Sequence, residues 1–134
     1  MTLVTTSRRS TTESRAIARD LAFAIGARYL ARGKRGLRDL TDTDLSFFIL
    51  SQEEKGLILR WYHHGKTIYE RRILKVERKK REGLITRGAV TSDPDLMQSL
   101  IKICPVFKDQ RTEVYLTIDG PQRSQTILKM EKSA

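Results

Sequence analysis

Several features that would indicate a membrane, secreted or catalytic protein are missing from this sequence. It has one cysteine, Cys104, so no disulfide can form within the chain, and a reducing compartment such as the cytoplasm is expected. Its apolar runs are far shorter than the roughly 20 residues that a membrane-spanning helix needs. The chain begins with a predicted strand rather than a signal peptide. These absences favour a folded cytoplasmic protein that has no contact with a membrane.

Signatures of catalysis and of cofactor binding are equally scarce. His63 and His64 form the only histidine pair, and no cysteine or acid stands beside them at the spacing of zinc ligands. Between Gly26 and Lys34 the spacing is G-x6-G-K, which differs from the G-x4-G-K-[ST] of a phosphate-binding loop. Cys104 lies on a predicted apolar helix face, which is typical of a buried small side chain. We therefore expect no catalytic residue, metal, cofactor or small-molecule substrate.

Positive charge is what the sequence has in excess. The net charge is +10 and the pI is near 10.1, while 39% hydrophobic residues suit a single folded domain. The excess is uneven, with net charges of +6 in residues 1–40, +3 in residues 41–83 and +1 in residues 84–134. A polyanionic partner such as RNA accounts for this asymmetry. A generally basic, solvated surface is the alternative.

A strand followed at once by a helix opens the chain. Leu3–Thr6 is apolar or β-branched and predicts the strand. Ser10 and Glu13 then have the spacing of a capping box, which predicts a helix over Thr11–Ile25 that ends at Gly26. Apolar positions recur on one face of this helix and arginines on the opposite face.

Basic residues cluster around this helix and in the loop that follows it, where Gly33 and Gly36 space them. Guanidinium groups bind phosphate in bidentate fashion, and the free N–H groups of a helix N-terminus also favour phosphate. Neutralisation of up to three of these residues by Glu13, Asp20 and Asp39 is the alternative. The predicted RNA-binding residues are Arg8, Arg9, Arg15, Arg19, Arg28, Arg32, Lys34 and Arg35.

Three further strands complete the first half, residues 1–76. Predicted strands over Leu45–Leu50, Leu57–Tyr62 and Thr67–Val76 favour an antiparallel meander. The aromatic residues Tyr29, Trp61 and Tyr62 could stack on unpaired bases, although core packing is favoured for Trp61. Residues 77–83, which include the run Arg78-Lys79-Lys80-Arg81, are interpreted as a basic linker or as a second RNA contact.

The second half, residues 84–134, repeats the outline of the first. A strand is predicted over Leu84–Arg87, then a helix capped by Ser92 or Asp93, then strands over Thr112–Ile118 and Ser124–Met130. Both halves thus follow the order strand, helix, antiparallel strands. This order predicts an α+β fold in which two related halves form one domain, with helices packed on a largely antiparallel or mixed sheet.

Three motifs near the start of the chain resemble those of the Brix domain. They are Thr5-Thr6-Ser7-Arg8-Arg9 at the strand exit, Arg15 with Ala18-Arg19-Asp20-Leu21 in the helix, and Arg32-Gly33-Lys34 in the loop. The sequence departs from the family pattern at Ser10, where proline is usual, and the segment 42–46 is short for the family. The match is good over about the first forty residues and is only an outline beyond them.

The resemblance implies a fold and a function. Brix domains consist of two related α/β halves, similar to the anticodon-binding domain of class II aminoacyl-tRNA synthetases. They act in ribosome biogenesis, so the expected partner is ribosomal RNA in pre-ribosomal particles, together with ribosomal or assembly proteins. The role would be that of a non-catalytic chaperone or scaffold, and the compact chain resembles the archaeal members. The alternatives are a generic nucleic-acid-binding or ribosomal protein, and a small enzyme or protein-interaction module with a basic face.

Overall fold

The computed structural model describes residues 2–7, 9–30 and 46–132. No helix within these ranges is long and apolar enough to cross a membrane. The same ranges contain nine strands and two helices, which are β1 (Thr2–Thr6), α1 (Thr12–Ile25), β2 (Arg28–Tyr29), β3 (Ser46–Glu53), β4 (Gly56–His63), β5 (Lys66–Lys80), β6 (Ala89–Thr91), α2 (Pro94–Leu100), β7 (Val106–Lys108), β8 (Val114–Asp119) and β9 (Ser124–Met130).

All these strands belong to one curled, mixed sheet with the order β2-β1-β3-β4-β5-β9-β8-β6-β7. The pairs β1–β2, β1–β3 and β6–β7 are parallel, and the remaining pairs are antiparallel. Each half begins with a strand, a helix and a short strand parallel to the first. The strand that follows is parallel to the first strand in the first half (β3 with β1) and antiparallel to it in the second half (β8 with β6). The predicted α+β class and the two related halves are therefore confirmed.

Both helices contribute to one hydrophobic core that spans the two halves. Ile17 and Leu21 of α1 and Leu96 of α2 are at most 1% exposed and belong to the same cluster of buried side chains. Helix α1 also contacts β8, and α2 contacts β5, so each helix packs on a strand of the other half. Trp61 is 4% exposed within this core, as the sequence favoured.

Strand β3 is buried on both faces of the sheet, which its nearly continuous apolar sequence predicts. Phe48 and Leu50 face the main core, whereas Phe47 and Ile49 form a smaller cluster on the opposite face together with Leu3. The two faces of the first half are thereby identified: α1 covers one face, and the smaller cluster lies on the other.

Strand β5 extends through much of the predicted linker and joins the two halves. Its first part, to Ile73, pairs with β4, and its second part, from Ile73 to Lys80, pairs with β9. The interpretation of residues 77–83 as a linker is therefore wrong for the four residues up to Lys80. A run of like charges is typical of a loop. Here the strand extends beyond the core: Val76 packs against the core, and the charged side chains that follow it are exposed to solvent.

Two local predictions are corrected by the structure. The capping box of α1 lies one residue later than predicted: the Thr11 hydroxyl accepts the Ser14 N–H at 3.0 Å, and the Ser14 hydroxyl accepts the Thr11 N–H at 2.8 Å. The predicted strand over Leu84–Arg87 is an exposed connection, in which Leu84 is 95% exposed, and β6 begins only at Ala89. Leu84 and Ile85 are apolar, but none of the described strands pairs with residues 84–87.

The ends of both helices otherwise follow their sequence patterns. Gly26 ends α1 with φ of +72°, the left-handed conformation that favours glycine. Asp93 caps α2 by accepting the Asp95 N–H at 3.0 Å, and Pro94 occupies the first turn. These caps fix where each helix begins and ends relative to the sheet.

Candidate nucleic-acid interface

The outer face of α1 presents three basic residues, Arg9, Arg15 and Arg19, which we call the α1 cluster. Arg9 is exposed in the turn before the helix. Arg15 donates from Nη1 to the Ser10 carbonyl at 3.2 Å and to the Ser10 hydroxyl at 3.1 Å, so its guanidinium is held near the start of the helix. Arg19 lies one turn further on and is exposed, with its guanidinium 5.2 Å from the centroid of the Tyr29 ring.

The structure brings together only part of the predicted RNA-binding set. Arg28 is exposed, but it pairs with Leu3, whose side chain lies on the sheet face opposite α1, so Arg28 does not join the α1 cluster. Outside the described residues lie Arg8, Arg32, Lys34 and Arg35.

Asp20 does not neutralise the α1 cluster, because its carboxylate is occupied by the second half of the chain. It is 5% exposed, and its Oδ2 accepts from Arg78 Nη2 at 2.8 Å, from the Thr126 hydroxyl at 3.2 Å and from the Ser124 hydroxyl at 3.4 Å. This network holds the far end of β5 against α1. The two basic stretches of the sequence therefore meet on neighbouring surfaces.

The second group of basic residues lies at the end of β5 and in the turn between β8 and β9. Lys79, Lys80 and Arg123 are exposed, and Arg81 donates to the Gly120 carbonyl at 3.0 Å. We call Lys79, Lys80, Arg81 and Arg123 the β5-end cluster. From the sequence, the run Arg78–Arg81 was interpreted either as a linker or as an RNA contact. Arg123 was not predicted, because no local sequence pattern places it beside β5, which is distant in sequence.

Arg87 was also missed, and it lies against α1. Its guanidinium is 4.3 Å from the centroid of the Phe23 ring. The connection that carries it is fixed to α1 by the Gly88 N–H, which donates to the Ala24 carbonyl at 2.9 Å. The second half of the chain thus adds a cation to the outer face of α1.

Six of the described basic residues elsewhere are paired with acids, whereas those of the α1 cluster are not paired with any described acid. Arg60 forms ion pairs with Glu53 and Glu70, and its hydrogen bond lowers the pKa of Glu53 below the usual value. Arg71 pairs with the carboxylate of Asp93 at 3.2 Å. The α1 surface therefore carries uncompensated positive charge, as do exposed lysines elsewhere such as Lys66, Lys102 and Lys108.

Among the described residues, no group of three or more His, Cys, Asp or Glu side chains is arranged to hold a metal ion. His63 shares a hydrogen bond with the hydroxyl of Ser46 and contacts His64 edge to face. His63 lines a groove of about 440 Å³ between the sheet and α2.

Tyr69 lines that groove and donates to Asp93 Oδ2 at 2.7 Å. Burial, followed by this hydrogen bond, raises the pKa of Tyr69 well above its usual value. The phenol therefore stays protonated and acts as a structural donor to the residue that caps α2.

Comparison with known proteins shows similarity at the level of the fold. No family model matches the chain, and no curated protein matches it. Among solved structures, the chain is similar to that of Mil, an archaeal Imp4-like protein, with a TM-score of 0.64, 18% sequence identity and coverage of 97% of each chain. The α+β architecture is therefore shared with that protein over nearly the full length of both chains.

Proposed function

We propose that this protein is a cytoplasmic ribosome-biogenesis factor that binds precursor ribosomal RNA as a non-catalytic chaperone or scaffold. The Brix-like motifs of the first forty residues motivate the proposal. The fold that this resemblance implies, with two related α/β halves, agrees with the observed one, which is shared with an archaeal Imp4-like protein. Ribosomal or assembly proteins are expected to be further partners in the same particles.

The observation that carries the proposal is the uncompensated charge on the outer face of α1. Arg15 and Arg19 are four residues apart on a rigid helix, and no described carboxylate pairs with either. The β5-end cluster extends this basic surface, because the ion pair between Arg78 and Asp20 holds β5 against α1. Basic side chains fixed on rigid elements suit recognition of a phosphate backbone.

A salt-series binding titration tests the proposal. The ligands are a ribosomal RNA fragment, a scrambled RNA of equal length and a DNA duplex, each measured by fluorescence anisotropy between about 50 and about 200 mM salt. The variant combines Arg15→Ala with Arg19→Ala. The matched control is Arg111→Ala, since Arg111 is also exposed and also lies on an aromatic ring, but it pairs with Asp109.

We expect the parent to bind the ribosomal RNA at least about tenfold more tightly than the other ligands. The double variant should lower the slope of log K against log salt by about 0.7 for each phosphate that the protein no longer neutralises, and the control should leave that slope unchanged. Equal binding of all ligands, with a variant indistinguishable from the control, would contradict the proposal. A protein partner for the basic face would then be the better explanation.

A further inference from the structure

Two arginines on the outer face of α1 lie on aromatic rings. Arg19 stands over Tyr29 at 5.2 Å, and Arg87 stands over Phe23 at 4.3 Å. Arg19 and Phe23 are four residues apart in α1, so the two pairs are separated by about 6 Å along the helix axis. Both arginines are exposed, and both rings are half-buried.

Neither guanidinium forms a hydrogen bond or an ion pair with any other residue that the structure describes. This distinguishes the two from Arg15, whose nitrogen atoms are engaged by Ser10, and from Arg78, whose partner is Asp20. The contact that orients Arg19 and Arg87 is therefore the aromatic ring beneath each of them.

A guanidinium that lies on a ring has a specific chemical consequence. The group is planar, so a single ring beside it contacts at most one of its two faces, and in these exposed side chains the other face and the N–H edge remain accessible. Such a face stacks on a nucleobase, and the positive charge adds to the attraction. Bases within a duplex are already stacked on their neighbours and cannot offer a face in this way. The partner that fits is therefore an unpaired segment.

We propose that Arg19 and Arg87 are stacking platforms for unpaired bases, and that they give this protein a preference for single-stranded over double-stranded RNA. The inference rests on the proposed RNA-binding function and specifies its ligand. Arg15 and the β5-end cluster would hold the phosphates of the same strand. Because Tyr29 and Phe23 support the two guanidinium groups before binding, little side-chain entropy is lost when a base docks.

Substitution of arginine by lysine separates stacking from charge. The combined variant Arg19→Lys and Arg87→Lys keeps both charges but removes both planar groups. Arg111→Lys is the matched control, because Arg111 also lies over an aromatic ring, that of Tyr115, but it pairs with Asp109 and belongs to neither basic cluster. Dissociation constants are measured for an unstructured RNA oligonucleotide and for a perfectly paired RNA hairpin of equal length.

We expect the parent to prefer the unpaired RNA, and the combined variant to bind it about tenfold more weakly, because loss of stacking on one base typically has this effect or more. Binding to the hairpin and the salt slope should change little in the same variant, and the control should match the parent. Phe23→Leu combined with Tyr29→Leu should reproduce the loss with every charge retained.

Two results would overturn the inference while leaving the proposed function intact. One is a parent that binds hairpin and unpaired RNA equally well, and the other is a lysine variant that binds unpaired RNA as tightly as the parent does. If the parent binds neither RNA, the proposed function itself fails. Thermal unfolding of each variant confirms that a loss of binding is not a loss of structure.

Discussion

Removal of the Asp20 carboxylate should destabilise the protein, because three groups of the second half depend on it. Asp20→Ala leaves the hydroxyl of Thr126, which is 0% exposed, without its acceptor and leaves Arg78 without its ion-pair partner. Breaking a fully buried ion pair costs about 3–5 kcal/mol. The Arg78 side chain is 38% exposed and can be rehydrated, so we expect a loss of about 2–3 kcal/mol.

Urea unfolding followed by far-ultraviolet circular dichroism measures this loss. With a slope of about 2 kcal/mol per molar urea, the midpoint should fall by about 1 M. Asp20→Asn should cost less, because the amide oxygen still accepts a hydrogen bond. The control is Glu113→Gln, which removes the exposed partner of Lys129 and should leave the midpoint nearly unchanged. A change of less than about 0.5 kcal/mol for Asp20→Ala would refute the network's role in stability.

Other substitutions test further details of the fold. Gly88→Ala should destabilise by about 2 kcal/mol or more in urea unfolding, because its φ of +110° is strained for alanine and the new Cβ would overlap the Pro105 carbonyl. Tyr69→Phe should cost about 1–2 kcal/mol at neutral pH. The unfolded phenol ionises near pH 10 while the folded one stays protonated, so the parent's advantage over this variant should shrink above about pH 10. Thr11→Ala should cost about 1 kcal/mol, and Ser10→Ala distinctly less, if the cap is at Thr11.

The elements with strong local patterns were predicted well. Strands β3 and β9 have apolar residues at strand spacing, and the structure places them at Ser46–Glu53 and Ser124–Met130, within a few residues of the prediction. Helix α1 was predicted in full except for its cap. The sequence offers overlapping caps in Ser10-Thr11-Thr12-Glu13-Ser14, and the choice depends on where the strand before the helix leaves the sheet.

Elements that depend on distant partners were not predicted. Strands β2 and β7 have two and three residues, too few to show any periodicity, and they exist because β1 and β6 offer edges for parallel pairing. The outer half of β5 is a strand because β9 pairs with it, although its own sequence is highly charged. The parallel pairings of β2 and β7 and the pairing of β5 with β9 join residues distant in sequence, so they depend on tertiary structure.

The candidate site shows the same division. Arg15 and Arg19 follow from helical spacing alone, which places them together on the face opposite the core. Two other contacts, the ion pair of Asp20 with Arg78 and the position of Arg87 over Phe23, depend on the packing of the two halves. No residue spacing in the sequence predicts these contacts. Helical spacing therefore predicted the face of α1 on which Arg15 and Arg19 lie, and the neighbouring cations of the second half became apparent only from the fold.

Strand β5 also determines how this surface meets a partner. It continues through the change of partner from β4 to β9 at Ile73, where the register shifts between Ile73 and Lys75, and its 15 residues span about 50 Å if fully extended. A hinge motion between the halves would have to separate the hydrophobic core that they share and the ion pair between Arg78 and Asp20. The α1 cluster and the β5-end cluster are thus held in a fixed relative position before any ligand arrives. Under the proposed function, a long polyanion should consequently dock without an induced closure step, and its association rate should be limited by electrostatic encounter rather than by rearrangement of the protein.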